Sequence, residues 1–249
     1  MDLGLQDSVI LVTGASRGLG ASIALGLVRE GAQVVVAART ESGLADVVKE
    51  AGGRASAVAV DLRDEESVRA LVPAVLERHG RIDGLVNNAG IAPGAKFLDQ
   101  DPSVWHETVK VNLLAPMMLA QSAGAAMIAA GGGSILNIAS TVGVRGKPYL
   151  VGYSASKGAM VRFTEALAAE WASKNVRVNS IAPGAFVTEA QHEVTGSPDL
   201  LARRVAKIPA GRMADPEEIV GLACMLLSPL SSFTTGSVVV VDGGESGKL

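Results

Sequence analysis

The chain has 249 residues, 48% of them hydrophobic and 19% charged, with a formal net charge of −3. That balance excludes a disordered chain and a basic nucleic-acid binder, because neutralising phosphates needs a Lys/Arg excess. Aromatics at 3% leave no stacking platform for bases, and the single cysteine, Cys224, excludes an internal disulfide and a multi-thiolate metal site and fits a reducing, cytoplasmic location.

From the N-terminus, Met1-Asp2-Leu3-Gly4 carries an early acid and a strand-like run follows too soon for a secretory h-region. Residues 8–12 read as a short buried strand, followed by a glycine-rich turn and an amphipathic helix to about residue 30. A second strand is predicted at 33–38, a helix at 42–51, a third strand at 55–60 and a helix at 65–79. The fourth strand, 82–86, ends in Asn87-Asn88-Ala89-Gly90. Helices are predicted at 102–110 and 113–130, a fifth strand at 134–139, a helix at 153–173 and a sixth strand at 176–182. A polar stretch from 185 to 209 breaks the rhythm. A helix at 215–227, with Asp215 as N-cap before Pro216, and a seventh strand at 237–241 close the series.

No charged residue occurs from Val111 to Val144. Pro116, Gln121, Ser122 and the Gly131-Gly132-Gly133 run interrupt this segment, which therefore reads as a buried helix and a buried strand rather than a membrane span. Strand–helix alternation with unbroken apolar strands implies an α/β chain, a parallel sheet covered by helices on both faces. The glycine turn after the first strand, and seven strands rather than eight, favour an open Rossmann-type doubly wound sheet over a closed barrel. No composition shift, linker or repeat marks a second domain, so residues 1–249 are expected to form one domain with a substrate loop at about 185–209.

Thr13-Gly14-Ala15-Ser16-Arg17-Gly18-Leu19-Gly20 lets backbone pass close to a pyrophosphate at a helix N-terminus. Tyr153 and Lys157 lie four residues apart, on one helical face. With Asn88, Asn112, Ser140, Pro183-Gly184 and Thr188 in this order and spacing, the chain resembles the short-chain dehydrogenase/reductase family over essentially its whole length. Tyr-Ser-Ala-Ser-Lys at 153–157 and Val-Asp-Gly-Gly at 241–244 look most like its 3-oxoacyl-[acyl-carrier-protein] reductase-like branch.

The resemblance implies a nicotinamide cofactor across the carboxyl ends of the strands. Gly14, Ser16, Arg17, Gly18, Leu19 and Gly20 would face its phosphates and adenosine ribose, and Asp61 and Leu62 would flank the adenine. Asn88, Ala89 and Gly90 would meet a ribose, and Pro183, Gly184, Phe186 and Thr188 would hold the nicotinamide end. The second strand ends in uncharged Ala38, where an NAD enzyme commonly places an acid, and Arg39 follows it. Arg39 and Arg17 can clamp a 2′-phosphate, which predicts NADP, with NAD as the alternative.

Catalysis is expected from Tyr153 and Lys157. A nearby ammonium favours the phenolate, so Tyr153 would exchange a proton with the substrate oxygen. By resemblance, Ser140 would hydrogen bond that oxygen, Lys157 the nicotinamide ribose, and Asn112 would support a water relay to Lys157. A serine hydrolase lacks a base, since His79, His106 and His192 share no motif with Ser140. No metal site is expected.

For the substrate, Ser140, Leu150, Tyr153, Phe186 and His192 are the candidate contacts, with Val151 beside them, and Arg145 and Lys147 as candidate anion contacts at the rim. The expected reaction is hydride transfer between NADP(H) and a ketone or secondary alcohol, with a 3-oxoacyl thioester as first candidate. A sugar acid or polyol is the alternative, and a catalytically silent NADP-binding regulator a remote one. The charge-free helix 113–130, the small residues Ala155, Ala159, Ala166, Ala168 and Ala169, and the apolar run 238–241 predict a homotetramer.

Overall fold

Seven apolar runs form one parallel sheet in the computed structural model, which describes residues 1–192 and 196–247. The strands are β1 (Val9–Thr13), β2 (Gln33–Ala38), β3 (Ala55–Ala59), β4 (Gly84–Asn87), β5 (Gly133–Ile138), β6 (Val176–Pro183) and β7 (Val238–Val241). They lie in the order β3-β2-β1-β4-β5-β6-β7. Register runs Ile10↔Val34 on one side of β1 and Ile10↔Gly84 on the other. The winding reverses between β1 and β4, and ligands of such sheets bind in the crevice at that switch.

The helices are α1 (Gly18–Arg29), α2 (Ala45–Glu50), α3 (Glu65–His79), α4 (Pro102–Val109), α5 (Ala115–Ala129), α6 (Thr141–Val144), α7 (Val151–Trp171), α8 (Glu189–His192), α9 (Pro198–Val205) and α10 (Val220–Leu227). Alternation along β1 divides the core. Ile10 and Val12 pack with Ile23 and Leu27 of α1 and Ala223 of α10. Val9 and Leu11 pack with Leu71 of α3, Leu119 of α5 and Trp171 of α7 on the opposite face. Side chains set the helix starts: Asp64 accepts from Glu66 N at 3.1 Å, Asp101 from Ser103 N at 2.8 Å, and Asp215 from Glu217 N at 2.9 Å. Glu218 closes the capping box on Asp215 N at 2.7 Å. At the far end of α10, buried Arg177 of β6 donates to the carbonyls of Leu226, Leu227 and Ser228, a cation where the helix dipole is negative.

Three local expectations change. The segments 102–110 and 113–130 are one helix, Pro102–Ala129, joined by a π-helical turn at Lys110–Leu114. Pro116 has no N–H for the carbonyl of Asn112 four residues back, and the Ala115 N–H reaches five residues back to Lys110 O instead. This helix is long and apolar enough to cross a membrane, yet half of its apolar window is buried in the protein, with Leu119, Ala120, Ala123 and Met127 in the core. The polar stretch 185–209 contains α8 and α9, the latter capped by Ser197, which accepts from Leu200 N at 3.3 Å. The short α6 begins directly after β5, where Ser140 caps it.

Candidate active site

A cavity of about 870 Å³ opens at the carboxyl ends of the strands. Its floor depends on two missing Cβ atoms. Gly14 has φ +64°, and a Cβ there would lie 2.8 Å from Ala89 Cα. A Cβ on Gly20 would collide with the carbonyl of Gly14 and the side chain of Asn88. With neither present, Asn88 Nδ2 donates to Thr13 O at 2.9 Å and Gly14 O at 3.1 Å. The turn after β1 is thereby tied to the end of β4. Asn88 thus spends its amide nitrogen on the turn.

Gly14, Ser16, Arg17, Gly18, Leu19, Gly20, Arg39, Asp61, Leu62, Asn88, Ala89, Gly90, Pro183, Gly184, Phe186 and Thr188 all line this cavity. At one end Arg39 forms no side-chain hydrogen bond or ion pair among the described residues. Arg17 pairs with Glu189 of α8 at 2.5 Å, and both side chains are largely exposed. An exposed pair of this kind contributes about 1 kcal/mol or less, so the guanidinium can exchange Glu189 for a ligand phosphate.

At the other end stand Ser140, Tyr153 and Lys157. Lys157 is buried and donates to Ile138 O at 2.7 Å, with its Nζ 5.9 Å from the Tyr153 ring centre. Burial pulls its ammonium down to about 8. Burial pushes the Tyr153 phenol above its ordinary value, and the hydrogen bond with Ser140 opposes that shift. The four-residue spacing of Tyr153 and Lys157 predicts the opposite shift. In the protein alone desolvation wins, and the Lys157 proton is directed at a backbone carbonyl rather than at the phenol. At neutral pH Tyr153 therefore carries its proton. Ser140 Oγ also accepts from Val142 N at 3.4 Å, which caps α6 at the end of β5.

Asn112 does not line the cavity. It is buried in the π-helical turn, where Oδ1 accepts from Ile91 N at 2.8 Å and Nδ2 donates to Ile91 O at 2.8 Å. The same Nδ2 donates to Ser156 Oγ at 3.1 Å, and Ser156 Oγ donates to Tyr153 O at 2.8 Å. The side chain thus joins the segment after β4 to α7. Leu150 and Phe186 line the cavity, whereas Val151 is exposed at the start of α7 and does not. The side chain of His192 lies outside the described residues. His79 packs against Ser56 (Nε2 to Oγ 3.3 Å), and neither it nor His106 reaches the cavity.

Sequence reasoning missed Arg204, Glu245 and Ser246 in the wall. Arg204 sits on α9, which Ser197-Pro198 and the pair Leu200-Leu201 foreshadow as a capped amphipathic helix. Glu245 follows the Gly243-Gly244 turn, whose φ values of +62° and +86° fold the chain back over the cavity. Among the described residues no group of three His, Cys, Asp or Glu side chains gathers to hold a metal ion.

Residues 14–246 match the family model described as enoyl-(acyl carrier protein) reductase. The 3-oxoacyl-[acyl-carrier-protein] reductase FabG of Thermotoga maritima is 36% identical over 245 residues, covering 96% of this chain and 98% of that protein. A candidate NAD(P)-dependent gluconate 5-dehydrogenase from Beutenbergia cavernae, solved with NADP at low occupancy, superposes with a TM-score of 0.95 at 40% identity, over 100% of both chains. A gluconate 5-dehydrogenase from Burkholderia cenocepacia, solved with NADP and tartrate, gives 0.94 at 34% identity over 100% of this chain and 98% of that one.

The buried ammonium has a measurable consequence. Its value of about 8 lies below the ordinary 10.5, so folding is penalised wherever the unfolded chain holds a proton that the folded chain resists. The penalty is full below pH 8 and fades as pH rises toward 10.5. The stability of Lys157→Met relative to the wild type is therefore expected to fall by roughly 2.5 kcal/mol from pH 7 to pH 10, on top of a pH-independent loss of the bond to Ile138 O. Urea unfolding of both proteins at the two pH values checks this, and a gap independent of pH would contradict it.

Proposed function

The chain belongs to the short-chain dehydrogenase/reductase family and is an oxidoreductase acting on CH–OH groups; from that premise we propose that it interconverts a ketone and a secondary alcohol with NADP(H) as cofactor. The observation that carries this reading is the convergence of Tyr153, Ser140 and Lys157 on the cavity that also contains the glycine turn. The cavity suits a dinucleotide: the glycine turn that Asn88 ties down stands at the N-terminus of α1, which favours a pyrophosphate, and the Arg39 guanidinium, unpaired among the described residues, offers charge-assisted bonds to a 2′-phosphate. Arg39 and Arg17 would hold that phosphate, and Lys157 and Thr188 the nicotinamide end. When bound, NADP(H) supplies or takes up the hydride.

The side chains do the rest. Ser140 Oγ holds the substrate oxygen by a hydrogen bond that strengthens as charge develops there. Tyr153, protonated at neutral pH, donates its proton to that oxygen in the reductive direction and takes it back in the oxidative one. Asn112 is a positioning residue that holds Ile91 and the first turns of α7 in register.

For the substrate, a 3-oxoacyl thioester would set its carrier phosphates against Arg145 at the rim. A sugar acid is favoured by a separate observation: Lys147 and Arg204 stand in the cavity wall with Ser140 and Tyr153. A silent NADP-binding regulator would leave the Ser140–Tyr153–Lys157 arrangement without purpose. A cytoplasmic location fits the lone buried Cys224.

Tyr153→Phe should lower ketone turnover by about 10³-fold or more, while a fluorescence titration shows NADPH bound as in the wild type. Normal activity in this variant would refute the assignment. Arg39→Asp with Arg17→Ser should reverse the preference from NADPH to NADH in the same titration, and tighter NADH binding by the wild type would refute the charge argument. A homotetramer is supported by Leu114 and Met117, exposed along the helix Pro102–Ala129, and by Val240, exposed on edge strand β7. Light scattering at micromolar protein should give four subunits; a monomer would contradict it.

A further inference from the structure

Most of the charges around the cavity are already paired. Arg17 is paired with Glu189, Arg63 with Glu107 at 2.5 Å, and both Nη atoms of Arg204 with Glu245 at 2.6 and 2.7 Å. Lys157 donates to Ile138 O and is assigned to the cofactor's nicotinamide end. Among the described residues this leaves Arg39 at one end of the cavity, and Arg145 and Lys147 on the segment between Ser140 and Tyr153, as cations that line the wall and form no ion pair. Arg39 has an assignment in the 2′-phosphate. Lys147 has none.

We infer that Lys147 is a specificity-determining residue that binds an anionic group, a carboxylate, carried by the substrate itself within reach of the reacting carbon. The inference rests on the ketone–alcohol reading and narrows its substrate to keto acids and hydroxy acids.

Three observations support it. Lys147 lines the same cavity as Leu150, Ser140 and Tyr153, as an exposed residue at its open side, where a ligand whose oxygen meets Tyr153 can extend to it. Its backbone is held in place: Lys147 N donates to Ser154 Oγ at 3.3 Å on α7, Leu150 N donates to Lys147 O at 3.2 Å, and Ala95 N donates to Tyr149 O at 3.0 Å. Tyr149 adopts φ +67° to allow this, a left-handed conformation that costs a side-chain-bearing residue energy and is kept where the surroundings require it. The field at this point is positive. Burial lowers the Lys147 ammonium, Arg204 and Lys207 lower it further, and only Glu245 opposes them. An ammonium crowded by cations and lacking an anion is the complement of a carboxylate. Glu245 is tied to Arg204 through both oxygens and forms no ion pair with Lys147.

Substrate pairs that differ only in a carboxylate against a hydroxymethyl group test this: 5-ketogluconate with L-sorbose, and acetoacetate with 4-hydroxy-2-butanone, each assayed by NADPH oxidation. The wild type should prefer the acid of each pair. Lys147→Gln should raise KM for the acid by about tenfold or more, the size of one charge-assisted hydrogen bond, with little change in kcat and none for the neutral partner. Lys147→Arg should restore most of the loss, and NADPH binding should be unchanged in both variants. Equal effects on acid and neutral partner, or no effect on either, would overturn the inference. A KM rise confined to acetoacetyl-CoA would move the anion to the carrier's phosphates and overturn it as well.

Should the wild type turn over none of these ketones, the ketone–alcohol reading fails on its own. Lys147 is then decided without turnover, by calorimetry of tartrate against threitol on NADP-loaded protein. Tartrate should bind at least about tenfold more tightly than threitol, and Lys147→Gln should remove the difference. Equal binding of the two by the wild type would refute the role of Lys147.

Discussion

The hydrogen bond from Lys157 Nζ to Ile138 O is the contact on which the site depends. It brings a charged side chain of α7 to the last residue of β5, inside a space where water no longer screens it. The same enclosure that depresses the ammonium raises the phenol of Tyr153, so two groups on one helical face are shifted by one cause, loss of solvent. Everything near them keeps that space closed. The short α6 rests on α7 so closely that a Cβ on Gly143 would lie 2.6 Å from the Lys157 carbonyl, and Asn112 clamps the segment after β4 from behind.

Charge is distributed with the same economy. The whole chain is net negative, yet seven basic side chains against three acidic ones line the cavity among the described residues. A positive pit in a negative surface concentrates field lines and draws anions in, whether a dinucleotide or a small acid. The ion pairs across its mouth are mostly solvent-exposed and contribute little to stability. They keep opposite charges at hand where an incoming anion can displace one of them.

Much of this was legible in the sequence because it rests on short-range rules. Unbroken apolar strands, a glycine turn after the first of them and the four-residue spacing of Tyr153 and Lys157 each constrain local geometry, and together they give the sheet and its crevice. The capping of the 215–227 segment by Asp215 was equally plain. What was not legible depends on long-range placement. Nothing near Glu245 announces that a turn will fold it onto Arg204, 41 residues away. The polarity of 185–209 hid α9, since an amphipathic helix with one half-exposed apolar edge reads as loop when only hydrophobic runs are counted. The Tyr153 shift was misjudged because sequence spacing shows that an ammonium is near but not which oxygen it faces.

The π-helical turn at Lys110–Leu114 carries one residue more than an α-helical turn would. Each residue in an α-helix advances the chain by about 100° around its axis. The wider turn absorbs that extra residue as a bulge, so the helical segments on either side stay in phase. With it, Asn112 points back to Ile91 while Leu119, Ala120, Ala123 and Met127 point into the core. Excising a single residue between 110 and 114 would close the bulge to an ordinary α-helical turn and leave the downstream helix, Met127 included, close to its present phase. A one-residue deletion in this turn would thus spare the helix's packing on the sheet and fall on the active-site clamp, because Asn112, which holds Ile91 at both its backbone groups, belongs to the bulge itself.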